Sequence, residues 1–259
     1  MKLSLFQIDA FTDSVFSGNP AAVCPLDAWL SDQQMQAIAA ENNLSETAFF
    51  VPKGDGFGLR WFTPTCEVDL CGHATLATGH LLLNRLEPKR PAVTFETRSG
   101  PLTVKRENDR LVMDFPAKPA AETAPDAGLV AAVGGAPEKV LAADNYLMVY
   151  ASAAEVRELR PRMADLVAFG PRGVIATAPG EDCDFVSRFF APAHGIPEDP
   201  VTGSAHCTLI PYWSARLGKA DLHARQISRR GGELFCRDEG TRVSIAGRAV
   251  LYLEGTIFL

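Results

Sequence analysis

The chain has 259 residues, 47% hydrophobic and 22% charged, with a net charge of −6 and a pI near 5.4; this is the balance of an ordinary globular protein and excludes disorder and collagen-like repeats. With acid in surplus and no run of five or more Lys and Arg, the field that attracts a phosphate backbone is missing, so nucleic acid is not an expected partner. No apolar stretch reaches the roughly 18 residues that span a bilayer and the opening MKLSLFQIDAF lacks a signal-peptide core, so no membrane contact and a cytoplasmic location are expected.

At this length about 73% of the unfolded surface would be buried, near the upper limit for one core, which favours two domains of similar size. Taken in chain order, β-rich runs are expected at 3–9, 47–51, 57–63, 93–97, 101–106 and 110–115, then at 145–150, 172–178, 184–190, 233–237, 242–246 and 249–258. Strands outnumber helices. The clearest early helix is SDQQMQAIAAEN, with Ser31 as N-cap and Gln34 at the return position of a capping box. Residues 116–138, rich in Pro and Ala, read as a connection containing one short helix. Six cysteines without a CxxC pair imply reduced thiols.

The most informative feature is an internal repeat. RWFTPTCEVDLCGHATLATGH (60–80) and RFFAPAHGIPEDPVTGSAHCTL (188–209) both run Arg, aromatic, Phe, small residue, Pro, polar loop, then Gly opening an apolar helical stretch. Arg60 matches Arg188 and Gly72 matches Gly203, with three extra residues in the second loop. In each copy a strand ends in a loop that opens a helix, whose first amides lack intrahelical acceptors. Such a start is a seat for an anion, and a glycine there lets a carboxylate approach the backbone closely. If the halves pack about an approximate two-fold axis, the two seats would face one cleft. Acid and base groups crowd these loops: Glu67, Asp69, Cys71 and His73 in the first, His194, Glu198, Asp199 and Ser204 in the second. They suit proton transfer to and from carbon, or else simply cap the helices they precede. Glu46, at the threshold of TAFFV, is either the polar edge of a strand or a carboxylate held in a cleft.

Together DAFTDSVFSGNPAAV (9–23), NLSETAFF (43–50), RWFTPTCEVDLCGHATLATGH (60–80) and EDPVTGSAHC (198–207) resemble the PhzF-type phenazine biosynthesis family, in that family's order. The resemblance implies an α+β fold like that of diaminopimelate epimerase: two similar domains, each a curved, barrel-like, mostly antiparallel sheet around a central helix. The expected domains are 1–115 plus a closing strand 250–259, and 116–249. It implies that Glu46 of the SET motif moves a proton on the substrate and that His73 and Asp199 position the substrate or assist. Gly72, Thr202, Gly203 and Ser204 then form the helix starts that bind a carboxylate. No cofactor and no metal are implied. The expected activity is a cofactor-independent isomerase of a small carboxylic acid, working as a homodimer.

Two alternatives belong beside this one. A cysteine-dependent epimerase would need a thiol at each helix start; Cys71 fits the first, but the second position holds Pro200 with Asp199 beside it, and Cys71 reads better as a small buried residue under the loop. A non-catalytic binding or interaction protein could keep the same fold. A metal trio of Cys66, Cys71 and His73 fits no zinc spacing. His80 and His223 are expected to be structural, in a helix and a loop respectively. His206 is a weaker site candidate, and Arg60 and Arg188 are expected to pair with carboxylates rather than with ligand.

Overall fold

The computed structural model describes residues 1–124 and 126–259; Pro125, inside the expected connection, lies outside them. The chain divides into two compact units, Met1–Phe115 with Ile245–Leu259, and Pro116–Ser244.

The first unit contains β1 (Lys2–Ala10), β2 (Asn19–Pro25), α1 (Asp32–Asn42), β3 (Glu46–Lys53), β4 (Gly56–Phe62), β5 (Glu67–Val68), α2 (Gly72–Leu81), β6 (Ala92–Thr97), β7 (Gly100–Glu107) and β8 (Arg110–Pro116, whose last residue begins the second unit). α1 forms where its capping signal lies: the Ser31 hydroxyl accepts from the Gln34 amide at 3.2 Å, and the Gln34 carboxamide accepts from the Ser31 amide at 3.3 Å. Asn43, at φ 50°, ends the helix in the left-handed conformation that Asn tolerates. β1 pairs antiparallel with β2 and with the C-terminal strand Ala249–Phe258. β2 runs parallel to β3, β3 antiparallel to β4, β4 parallel to β6, and β6–β7–β8 form a meander. This sheet curves around α2, of which every residue but His80 is buried. Gly79 allows the enclosure: a Cβ there would sit 2.6 Å from Val104 Cγ1 of β7.

The second unit contains β9 (Ala121–Glu122), α3 (Ala127–Val133), β10 (Lys139–Ala142), β11 (Tyr146–Val149), α4 (Ala153–Glu158), α5 (Met163–Val167), β12 (Val174–Pro179), β13 (Phe185–Ala191), β14 (Ile196–Asp199), α6 (Gly203–Leu217), β15 (Asp221–Gln226), β16 (Gly232–Asp238) and β17 (Arg242–Gly247), which crosses the border of the units. Its order repeats that of the first unit: β11 parallel to β12, β12 antiparallel to β13, β13 parallel to β15, and β15 antiparallel to β16. The central α6 carries Pro211, which cannot donate to the Cys207 carbonyl one turn back; the Lys118 amide donates to that carbonyl instead, at 2.9 Å. Each unit is therefore a curved, mostly antiparallel sheet around one buried helix.

Six of the described strands, β2, β5, β9, β10, β14 and β15, escape the sequence expectations; β5 and β9 have two residues each and β14 four, too short for a pattern. β2 begins with Asn-Pro, which reads as a turn. β15, DLHARQ, alternates but carries charge, and it contains His223, so that residue lies in a strand, 2.8 Å from Glu233. β10 has only four residues. The helix expected within 116–138 is α3, with Asp126 accepting from the Gly128 and Leu129 amides. All six cysteines are reduced, and burial pushes the Cys24 and Cys207 thiols up to about 12. Among the described residues, no helix is long and apolar enough to cross a membrane.

Candidate active site

The duplication is legible in side-chain chemistry. Arg60 Nε and Nη2 donate to the two Glu67 carboxylate oxygens, both at 2.7 Å, and Arg188 Nε and Nη2 donate to those of Glu198 at 2.7 and 2.9 Å. Each guanidinium also lies over the ring two residues on, Phe62 at 5.2 Å and Phe190 at 4.9 Å. Two carboxylates on the short strands β5 and β14 thus hold the arginines of β4 and β13. Thr75 and His206, equivalent by the match of Gly72 to Gly203, each bond to the carbonyl of their helix's N-cap: Thr75 Oγ1 to Cys71 O at 2.5 Å, His206 Nδ1 to Thr202 O at 2.8 Å.

Both central helices open without a side-chain cap, at Cys71 for α2 and at Thr202 for α6, while α1, α3 and α4 carry Ser31, Asp126 and Ser152 as caps. The starting residues Gly72 and Gly203 are buried, and Ser204 is exposed. Uncapped amides at the positive end of a helix suit an anion.

In the first unit, Glu46 and His73 come together. Glu46 opens β3 in register with Ala21, and the turn after α1 delivers it, so the carboxylate is buried at 9% exposure rather than left at the strand edge. His73 is the second residue of α2, and its Nε2 lies 3.1 Å from Glu46 Oε2 in a contact bent away from the line of an ideal hydrogen bond. The other ring nitrogen, Nδ1, is 3.1 Å from the Asn19 amide nitrogen, which can only donate. The proton of the neutral ring therefore sits on Nε2, facing Glu46. Burial lowers the His73 pKa to about 3, which keeps the ring neutral at physiological pH.

Asn19 was not singled out from the sequence, although it belongs to the motif DAFTDSVFSGNPAAV. The loop that delivers it is strained: Phe11 and Phe16 have φ of 62° and 70°. It is held by the buried Asp9 carboxylate, which accepts from the Phe16 amide at 2.9 Å, and by burial of Phe11, whose ring leaves no room for a Cβ on Gly247. Cys71 is buried as expected but does more than pack, since its Sγ is 3.5 Å from His73 Nδ1. Glu46, Cys71 and His73 bring O, S and N donor atoms within 4.8 Å of one another. A cation bound there would occupy the Glu46 carboxylate itself. Cys66 is exposed and bonds locally to Thr63.

In the second unit, Asp199 and Thr202 come together. Asp199 ends β14, is 8% exposed, and accepts from the Thr202 hydroxyl at 2.5 Å. Gln226, a second residue that sequence reasoning missed, donates from Nε2 to the Asp199 carbonyl at 2.8 Å and accepts the Thr202 amide at 2.8 Å. A buried amide in a strand otherwise rich in charge left no signal in the sequence.

A family model described as phenazine biosynthesis-like protein matches residues 8–255. The chain is 54% identical to an uncharacterized isomerase of Pseudomonas aeruginosa, covering 100% of both chains. It is 43% identical to the crystal structure of a PhzF-family phenazine biosynthesis protein from Enterococcus faecalis, with a TM-score of 0.97 over 100% of each chain. A hydroxyproline epimerase from Agrobacterium vitis shares the fold alone, at 12% identity and a TM-score of 0.61 over 99% of this chain and 92% of its own. Motif order, duplicated topology and these matches over the whole chain agree: the protein belongs to the PhzF-type, phenazine biosynthesis-like family.

Proposed function

We propose that this protein is a cofactor-independent isomerase of a small carboxylic acid, in which Glu46 takes a proton from one position of the substrate and returns it at another. The observation that carries this reading is the buried pair Glu46 and His73, 3.1 Å apart, with the His73 tautomer set by Asn19. A carboxylate away from bulk water beside a single fixed N–H is suited to holding a proton loosely and keeping its orientation between removal and return. The uncapped amides at Gly72, and at Gly203 and Ser204, are proposed to bind substrate carboxylate, with Thr202, whose own amide is held by Gln226, setting the start of α6. Asp199 is proposed to orient the substrate. Relatives named as isomerases, at 54% and 55% identity over their whole length, support the reaction class. The reading includes a homodimer acting in the cytoplasm.

The test is NMR-detected deuterium incorporation into a panel of small hydroxy, amino and unsaturated acids in heavy water. The reading predicts exchange at carbon for at least one member. Tight binding across the panel with no exchange would make the protein a binder that keeps the fold. Cys71, close to His73 Nδ1, supports a second reading, a thiol-dependent epimerase. Loss of exchange in Cys71→Ala, with Glu46→Gln still active, would favour that mechanism over the Glu46 one.

A further inference from the structure

The hydrogen-bond directions around Thr202 are fully determined. Gln226 Nε2 has two protons: one goes to the Asp199 carbonyl at 2.8 Å, the other to Thr202 Oγ1 at 3.1 Å. Its Oε1 accepts the Thr202 amide at 2.8 Å. Because Oγ1 accepts from Gln226, its own proton points to Asp199 Oδ2, 2.5 Å away, the length of a hydroxyl donating to a carboxylate. The Thr202 carbonyl can only accept, so His206 donates to it from Nδ1. Every polar group of Thr202 is thus engaged, and Gln226, Thr202 and His206 are 1%, 6% and 0% exposed.

This clamp is not something the duplicated fold demands. Phe57 pairs with Phe95 in the first unit as Phe185 pairs with Ala224 in the second, so the position equivalent to Gln226 is Thr97. The Thr97 hydroxyl donates to the Gly100 carbonyl at 2.6 Å and accepts the Ser99 amide at 3.1 Å, both in its own turn, and a helix of the same kind starts at Gly72 regardless. The device is found where the loop carries three extra residues and has Asp199 directly after the arginine-bound glutamate, where the first loop has Val68.

We propose that Gln226 is a positioning residue for Asp199: by fixing the Thr202 hydroxyl as a donor, it holds Asp199 as an oriented acceptor for substrate. The proposal rests on the reading of Asp199 as a substrate-orienting group. It is tested by following the Asp199 side-chain carbon by NMR across pH in the full-length wild type, Gln226→Leu, Thr202→Val and Thr202→Ser. Loss of the hydroxyl donor disfavours the carboxylate, so the pH at which Asp199 takes up a proton should rise in Thr202→Val, rise less in Gln226→Leu, and return towards wild type in Thr202→Ser. In the double variant the two effects should not add. Deuterium exchange into substrate should fall about 10- to 100-fold in Gln226→Leu, as a displaced group would cause, and should fall less in Thr202→Ser, which keeps the hydroxyl donor, than in Thr202→Val. If Gln226→Leu does not fold, Gln226→Glu, which keeps the shape and loses the donors, replaces it.

An Asp199 titration indifferent to both Gln226 and Thr202 overturns the proposal even where Glu46-dependent exchange is found. A titration that moves as described, with no exchange into any acid, supports the clamp while ending the isomerase reading.

Discussion

His206 makes the structure sensitive to acid in a way that can be calculated. Its ring is completely buried, Nδ1 donates to the Thr202 carbonyl, and Nε2 finds no partner among the described residues. Burial lowers its pKa from 6.5 to about 4, against a smaller opposing effect of the bond to Thr202. A base with a lowered folded pKa binds more protons when unfolded, so stability is complete above pH 6.5 and is lost as pH falls towards 4. Integrating from pH 7 to pH 5 gives a loss of about 2 kcal/mol from this one residue, a sizeable part of the stability of an ordinary domain. Urea unfolding at the two pH values reads the loss, with His206→Gln as the comparison, since an amide can still donate to Thr202 but takes up no proton. The variant should lose about 2 kcal/mol less than wild type over the same interval. Equal losses in the two proteins, or a folded-state His206 ring titrating near 6.5, would refute the reasoning.

Three further outcomes follow from particular contacts. Arg188→Met leaves Glu198 without its bidentate partner and also removes donors to the Val156 and Leu159 carbonyls; a loss of about 3 kcal/mol is expected by chemical denaturation. Gly79→Ala improves helix propensity but drives a Cβ into Val104, so it should destabilise by about 1–3 kcal/mol, with much of that recovered when combined with Val104→Ala. Asn19→Asp replaces a donor to His73 Nδ1 with an acceptor, which should move the ring proton to Nδ1, visible in nitrogen NMR shifts, and reduce exchange about 10- to 100-fold.

The features legible in the sequence are those with a local cause. The Ser31–Gln34 box announces α1, and the two Arg-aromatic-Phe strings announce duplicated strands because the same guanidinium, carboxylate and ring contacts recur in both. The arginines were expected to pair with carboxylates, and they do. What stayed hidden depends on residues distant in the chain. Glu46 was singled out by the resemblance of its SET motif; its local sequence left strand edge and cleft carboxylate open, because nothing near it announces His73, 27 positions away. Asn19 precedes a proline, a common turn signature, and its value lies in facing a ring 54 residues on. Gln226 reaches Thr202 across 24 residues, and the alternating polar strand around it gave no sign that this amide is buried. Cys71 was expected to be merely buried; only the folded chain shows its sulfur beside His73.

The central claim is that the Glu46 carboxylate is the group that carries the proton. The most direct measurement is the rate of deuterium exchange into an identified acid substrate by Glu46→Gln, compared with wild type, alongside its affinity for that acid. An amide keeps the shape and cannot accept the proton, so the rate should fall about 10²- to 10⁴-fold while binding of the acid persists. Exchange within a few-fold of wild type would contradict the account.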